Sequence, residues 1–287
     1  MPANRSRTDK WRQSLQKIYE RGGGLEFAIN REGNHEGAKD LVWRVRVLKL
    51  SETEILIEQP GAMGQSFKIN EGSELVGIMA VGQNKWMFNT RVLGTTLNET
   101  RAGTFPALRI AMPEKVVRCM RRSADRTSIA HIDLPKVDCW KLIDPLSAVP
   151  VEVANRVQIE EMNAKGKPAL SDDALSNDPM SLPTVGPMFE ARLANIGGGG
   201  VGLVIPNESR QNIDSGKLFW MRLDLRPTIP APIVLSAKLV HTHLDAMQDT
   251  YAGMAFEFGI NNAHKGFIIK QIARYISSFQ SEHKKAA

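Results

Sequence analysis

Four arginines in a short, polar segment are the residues with the clearest chemical potential. They fall within nine positions of the sequence, and they are Arg118, Arg121, Arg122 and Arg126. Guanidinium groups this close together repel one another unless an anion neutralises them. Each offers planar, bidentate donors that suit a phosphate or the O6/N7 edge of guanine, and each can stack on a base. The segment therefore indicates an anion site, with a solvated basic linker as the alternative.

A run of glycines is the second candidate site. Gly197 to Gly200 follow a strand-like segment that ends near Asn195, and they precede another at Val201–Ile205. Glycines allow a ligand to approach the backbone closely, and bare N–H groups can hold an anion. The Asn195 amide offers both a donor and an acceptor. The run also fits a dinucleotide-binding GxGxxG spacing, but the residues after it are strand-like, which excludes that interpretation. A flexible hairpin turn is the alternative.

A histidine pair is the third candidate. His241 and His243 share one face of a predicted strand with Asp245, and such a set could hold a metal ion. No other metal-ligand cluster supports a metal, so we predict an outward polar face and no metal site. No GxSxG, HExxH or GxxxxGK[ST] motif occurs in the sequence. The sequence thus predicts a protein that is not an enzyme.

The composition of the chain narrows the class of protein. The 287 residues are 42% hydrophobic and 24% charged, which excludes a mainly disordered chain. No apolar run approaches the roughly 20 residues of a membrane helix, and the first 21 residues lack the apolar core of a secretion signal. Two cysteines without a CxxC motif disfavour a disulfide scaffold and predict a cytoplasmic location. The net charge, 37 − 31 = +6, favours anionic partners.

The elements that must position these residues are mostly strands. Apolar residues at helical spacing predict one helix over 8–21 and another over 265–283. Alternation predicts strands at 41–48, 54–59, 75–81, 85–95, 107–112, 128–134, 151–159, 188–196, 201–205, 218–225, 233–243 and 251–258. Residues 160–187 are predicted to be an exposed loop or insertion. Few helices separate the strands, so a parallel α/β sheet is excluded and small antiparallel barrels or sandwiches are favoured.

The second half of the chain resembles a PilZ domain, a small β-barrel that binds cyclic di-GMP. The family's RxxxR motif, preceded by a further arginine, is matched by Arg121 and Arg122–Arg126. Its second motif, [D/N]xSxxG, is matched by Asn195–Gly200, with Gly197 in the serine position. The Ala252–Phe256 segment and the closing helix over 267–279 are also similar to the end of the family's domain.

The first half resembles the N-terminal domain of YcgR-like flagellar-brake proteins. The similar segments are Phe88–Val92 and Leu108–Ile110, followed by Pro113 just before the arginines. The two resemblances cover most of residues 25–287 and imply an all-β fold with terminal helices and two antiparallel β-barrel domains. The first would be split-barrel-like and the second a PilZ barrel. The implied domains are a helix at 1–24, a β domain at 25–115 and a PilZ domain at 116–287, with the arginine-rich junction at 115–126.

The resemblance also implies a function and a role for each site residue. The protein would be a cyclic di-GMP receptor that acts on a protein partner through its first domain, with the flagellar motor as a candidate. It would need no cofactor, metal, nucleic acid polymer or transmembrane segment. Two departures from the motifs are Gly197, which lacks the serine hydroxyl, and Asp125, an acid beside the anion site. The implied ligand contacts come from the guanidiniums of Arg118, Arg121, Arg122 and Arg126, from Asn195, and from the backbone at Gly197 and Gly200.

Two alternatives remain open from the sequence. One is a PilZ-like interaction module that has lost nucleotide binding. The other, from a different class, is a flavin-binding split-barrel oxidoreductase built on the first domain. Purified protein that is yellow and absorbs near 450 nm would favour the oxidoreductase.

Overall fold

The computed structural model describes residues 10–30, 40–81, 84–100, 103–118, 134–171, 182–197, 199–214, 217–244 and 248–283. The helices are α1 (Trp11–Glu20), α2 (Ala148–Ala164), the short α3 (Arg210–Asp214) and α4 (Asn262–His283). The strands up to residue 118 are β1 (Gly24–Ile29), β2 (Val42–Leu50), β3 (Glu54–Glu58), β4 (Gly61–Ala62), β5 (Gln65–Ser66), β6 (Glu74–Val81), β7 (Asn84–Thr100), β8 (Gly103–Ala111) and β9 (Val117–Arg118). The later strands are β10 (Lys136–Leu142), β11 (Val185–Ile196), β12 (Gly200–Ile205), β13 (Leu218–Leu223), β14 (Ile233–Leu244) and β15 (Thr250–Phe256).

The strands close into two antiparallel barrels of six strands each. The first follows the order β1-β6-β7-β8-β3-β2 and closes where β2 pairs with β1. The second follows β11-β10-β13-β14-β15-β12 and closes where β12 pairs with β11. A short parallel bridge between Ile196 of β11 and Trp43 of β2 joins the barrels. The predicted all-β class, with antiparallel barrels and a helix toward each end, is confirmed.

Apolar side chains at every second position of the strands fill the interior of the first barrel. Ile55 and Ile57 on β3 are fully buried, while the glutamates on either side of them are partly exposed. Phe27 and Phe88 meet edge to face in the barrel interior, with their ring centroids 6.0 Å apart. Helix α1 packs its apolar side against this barrel through Leu15. This pattern of inward apolar and outward polar residues is what made the strands predictable.

The second barrel has a packed interior with no room for a ligand. Its inner side chains leave about 10 Å³ of free space, which is no more than one water molecule needs. Helix α4 contributes Ile268 and Ile272 to the lining of that space. None of the described helices is long and apolar enough to cross a membrane. Any ligand of this barrel must therefore bind to its outer surface.

The strand predicted at Val151–Ile159 is wrong, because helix α2 occupies this segment. The prediction failed because the spacing of Val151, Asn155 and Ile159 fits both the two-residue repeat of a strand and the four-residue spacing of one helix face. The alternating valines of this segment therefore suggested a strand. In the helix they are buried, whereas Val157 is exposed. Asn155 anchors α2 to the second barrel by donating to the Pro232 carbonyl at 2.9 Å and accepting from the Val234 N–H at 3.2 Å.

Other differences concern the limits of the elements. Strands β1 and β10 were not predicted, and the predicted insertion at 160–187 contains the end of α2 and the start of β11. Residues 172–181 of that insertion lie outside the described residues, as do residues 128–133 of the strand predicted at 128–134. The helix predicted over 8–21 is described from Trp11 and ends before Gly22, whose positive φ of 63° suits a helix terminus.

Glu152 on α2 is a buried carboxyl group that makes stability depend on pH. It is 3% exposed and accepts a 2.7 Å hydrogen bond from the Asn261 amide. Burial raises the pKa of Glu152 to about 7. The folded protein therefore binds this proton more tightly than the unfolded chain does. The stabilising contribution is complete below the ordinary glutamate pKa and is lost as the pH rises through about 7.

We therefore expect Glu152→Gln to be more stable than the wild type at pH 8, by about 1–3 kcal/mol. Glutamine keeps the acceptor for Asn261 but needs no deprotonation, so the difference should vanish near pH 4. Urea unfolding across this pH range measures it, with Glu160→Gln, an exposed residue of the same helix, as the control. An equal pH dependence in wild type and Glu152→Gln would contradict the assignment.

Candidate functional site

A row of four directly paired residues crosses the outer surface of the second barrel. Asn195 on β11 pairs with Gly202 on β12, Gly202 pairs with Gly253 on β15, and Gly253 pairs with His241 on β14. Residues opposite one another in an antiparallel sheet share a face, so the two glycines contribute no side chains of their own between Asn195 and His241. Three strand spacings make this row roughly 14 Å long. Both ends follow a β-bulge, a feature that often re-aims side chains beside binding sites.

The side chains that lean over both central glycines occupy the space that a Cβ there would take. A Cβ on Gly202 would lie 2.1 Å from the Tyr251 hydroxyl oxygen. A Cβ on Gly253 would lie 2.2 Å from Cε1 of the His241 ring. The rings of Tyr251 and His241 therefore lie low across the barrel surface, in space that any other residue would fill.

The row forms the floor of an open pocket of about 280 Å³, which we call the trough. Asn195, Tyr251 and the glycines at 197, 199, 200, 202 and 253 line the trough on the second barrel. His241 and Val240 also line it, and Val240 is 65% exposed. Arg44 of β2 contributes the wall from the first barrel, so the trough spans both barrels. Its mixture of glycine backbone and aromatic rings, with an arginine in the lining, suits a planar anionic ligand.

Asn195 links the trough to the first barrel. Its side chain is 4% exposed, and its Nδ2 donates to Glu26 Oε1 of β1 at 2.9 Å. The Tyr251 hydroxyl oxygen lies 3.2 Å from Nδ2 and 3.4 Å from Oδ1. The other carboxylate oxygen of Glu26 accepts from Lys85 Nζ at 3.1 Å. A ligand that takes the Asn195 amide must therefore compete with Glu26.

The two predicted glycines of the site have different surroundings. A Cβ on Gly200 would lie 1.9 Å from the Met254 carbonyl oxygen, so this glycine is needed for the close approach of β12 and β15. A Cβ on Gly197 would meet only the Arg44 carbonyl oxygen, at 3.8 Å, which is ordinary contact. Position 197 therefore has room for the serine that the resembled motif carries.

We expect Gly197→Ser to fold with unchanged stability and to bind cyclic di-GMP as tightly as the wild type or up to about tenfold more tightly. The added hydroxyl supplies one hydrogen bond to an anion at the trough, worth about 1.5 kcal/mol. Calorimetric titration and thermal unfolding measure both effects. As a control, Gly200→Ser should destabilise the fold, because its Cβ collides with backbone. Weaker binding by a well-folded Gly197→Ser would contradict this geometry.

The structure describes only one of the four arginines, and only its backbone. Arg118 lies on β9 and pairs with Trp86 of β7. Arg121, Arg122 and Arg126 lie outside the described residues, as does Asp125, so their predicted roles remain predictions. After the segment 119–133, Leu134 packs against Ala28, Val42 and Ile78 on the outer face of the first barrel.

The histidine pair forms part of a group of rings. The His241 and His243 rings are nearly parallel with centroids 6.1 Å apart, and both are exposed on β14. The Tyr251 ring lies 4.7 Å from His243 and 6.1 Å from His241. Over the described stretches no three metal-ligating side chains come together, and Asp245 lies outside them. His241 lines the trough, whereas His243 is not among its lining residues.

Sequence reasoning missed the residues that come from distant parts of the chain. Arg44 and Glu26 belong to the first barrel, and Tyr251 lies 56 residues after Asn195. No local motif marks them. A usable signal was the glycine at 253 inside an otherwise regular strand, which indicates close packing of another group.

No protein-family model matches the chain, and no curated protein is similar to it in sequence. Solved structures with which it can be superposed include the Bacillus subtilis inhibitor of motility MotI/DgrA, at 14% identity and a TM-score of 0.29, covering 89% of this chain and 97% of that one. They also include Escherichia coli YcgR in complex with c-di-GMP, at 12% identity and 0.28, covering 96% and 91%. A third is the K. pneumonia MrkH–c-di-GMP complex, at 12% identity and 0.29, covering 98% of both chains.

Proposed function

We propose that this protein is a receptor for cyclic di-GMP that relays the nucleotide signal to a protein partner and catalyses no reaction. The observation that carries the proposal is the trough, whose floor of aromatic rings over glycines ends at a buried asparagine and whose lining includes an arginine of the other barrel. Cyclic di-GMP presents two planar guanines and two phosphates. It needs donors for the phosphates and for the O6/N7 edges, and flat surfaces for the bases.

The described residues on either side of the segment 119–133, which holds three of the four arginines, support a role for these arginines at the trough. Val117 pairs with Met87 before the segment, and Leu134 packs on Ala28 and Val42 after it. Ala28 and Val42 pair with each other two residues from the Glu26–Arg44 pair, on the same face of the first barrel. Both ends therefore adjoin the side of the first barrel that faces the trough.

The proposed complex contains the following contacts. Arg122 and Arg126 hold guanine edges and phosphates, and Arg118 or Arg121 stacks on a base. Asn195 bonds the second guanine, and Gly200 lets the backbone approach the ligand closely, while Gly197 offers no hydroxyl. The acid at Asp125 is offset by the neighbouring guanidiniums.

The link between Asn195 and Glu26 gives the receptor a way to relay its signal. A guanine that bonds the Asn195 amide displaces Glu26, so the ligand favours an arrangement in which this contact between the barrels is broken. The population shifts only to the extent that the ligand binds that arrangement more tightly. The altered first domain then presents a different surface to its protein partner, for which the flagellar motor is our candidate.

Calorimetry of the purified full chain with cyclic di-GMP tests the proposal, with GTP and cyclic GMP as controls. We expect saturable binding of cyclic di-GMP and none of the controls at equal concentration. An absence of heat with cyclic di-GMP would favour an interaction module that does not bind nucleotide. A yellow protein with absorbance near 450 nm would favour the flavin-dependent oxidoreductase.

A further inference from the structure

The imidazole ring of His241 has a position that the proposed contacts leave unexplained. It lines the trough at the end opposite Asn195, with its ring over Gly253. A solvated histidine on an outward face would not need a glycine beneath it. The ring instead occupies the space of the missing Gly253 side chain, and a bulge at Leu239–His241 turns this part of β14.

The neighbouring residues complete a flat apolar wall. Tyr251 is held at the trough by its hydroxyl contact with Asn195, and its ring centroid lies 6.1 Å from that of His241. Val240, beside His241, is exposed and adds aliphatic contact. Aromatic rings that lie low over glycines offer a nucleobase a flat surface for stacking, and histidine is among the residues that stack on bases.

We propose that His241 is a base-stacking residue, which receives one purine of the ligand on its ring while Asn195 bonds at the other end of the trough. This inference rests on the proposed function, since it concerns the same ligand. The roughly 14 Å between the two ends of the row leaves space for an extended purine nucleotide along the trough, above the Tyr251 and His241 side chains that cover Gly202 and Gly253.

Three variants of the full chain separate stacking from other roles. Base–aromatic stacking is lost in His241→Ala, so its dissociation constant for cyclic di-GMP should rise about tenfold. His241→Phe keeps a flat ring without a donor or charge, and it should bind within about twofold of the wild type. His243→Ala is the matched control, because this ring is exposed on the same strand but does not line the trough.

A spectroscopic readout distinguishes stacking from a purely structural effect. The H8 proton of one guanine should shift upfield on binding to the wild type, and this ring-current shift should be absent with His241→Ala. Thermal unfolding checks that the variants are folded. Wild-type affinity in His241→Ala, or a loss in His241→Phe as large as that in His241→Ala, would overturn the stacking role and leave the proposed function intact. Failure of the wild type to bind cyclic di-GMP would overturn both.

Discussion

Replacing Arg122 and Arg126 together by alanine should weaken cyclic di-GMP binding by about a hundredfold or more. A bidentate contact between a guanidinium and a guanine edge contributes about 1–3 kcal/mol, so each arginine accounts for roughly tenfold. Lysine at either position should not restore the affinity, because an ammonium group keeps the charge but lacks the planar fork. Calorimetric titration of the single, double and lysine variants measures these effects.

Arg46→Ala is the matched control for the loss of positive charge. Arg46 lies two residues from Arg44 on β2, is exposed, and forms an ion pair with Glu58 at 3.0 Å away from the trough. It should leave binding unchanged, since exposed ion pairs contribute little. Lysine variants that bind as tightly as the wild type would show that the segment acts only through its charge or not at all.

Asn195→Asp should both destabilise the protein and weaken ligand binding, although the resembled motif accepts either residue. In this chain Nδ2 of Asn195 donates to Glu26 at 2.9 Å, so an aspartate would bring two carboxylates together and remove the donor. We expect a loss of about 1–3 kcal/mol in the free energy of unfolding. Cyclic di-GMP affinity should fall by roughly tenfold, because the amide donor for the second guanine is also lost.

A second substitution tests the cause. Glu26→Gln in the Asn195→Asp background restores a hydrogen-bond donor and removes one of the two facing negative charges. Most of the lost stability should therefore return, although Lys85 loses its ion pair with the Glu26 carboxylate. A double-mutant cycle in urea unfolding measures the coupling between the two positions. Asn207→Asp, on the exposed turn after β12, is the control for added surface charge. Simple additivity of the two substitutions would contradict a direct link between the barrels at this point.

The strands were predictable where one face is buried and the other is solvated. The buried Ile55 and Ile57 alternate with the partly exposed Glu54, Leu56 and Glu58, and β3 was predicted to within one residue. Helix α2 was not predicted, because the spacing of Val151, Asn155 and Ile159 fits a strand as well as a helix. Only its tertiary contacts, such as Asn155 with the Pro232 carbonyl, decide between them.

The candidate site was only partly predictable for a related reason. Asn195 and the glycine run form a local motif, and a motif can be read from the sequence. The row through Gly202, Gly253 and His241 exists only through strand register, which depends on pairing between β11, β12, β15 and β14. Glu26 lies 169 residues before Asn195, and no property of either residue alone indicates their hydrogen bond.

Hydrogen exchange of the full chain with and without cyclic di-GMP tests most directly whether the ligand binds where we propose. We expect slower exchange at the amides of residues 115–126 and 195–202, and no change in β3, which lies away from the trough. The same protection should be lost in the double variant with Arg122→Ala and Arg126→Ala. Saturating ligand that leaves both segments unprotected, or that protects only residues elsewhere in the chain, would contradict a cyclic di-GMP site built from the trough and the arginine-rich segment.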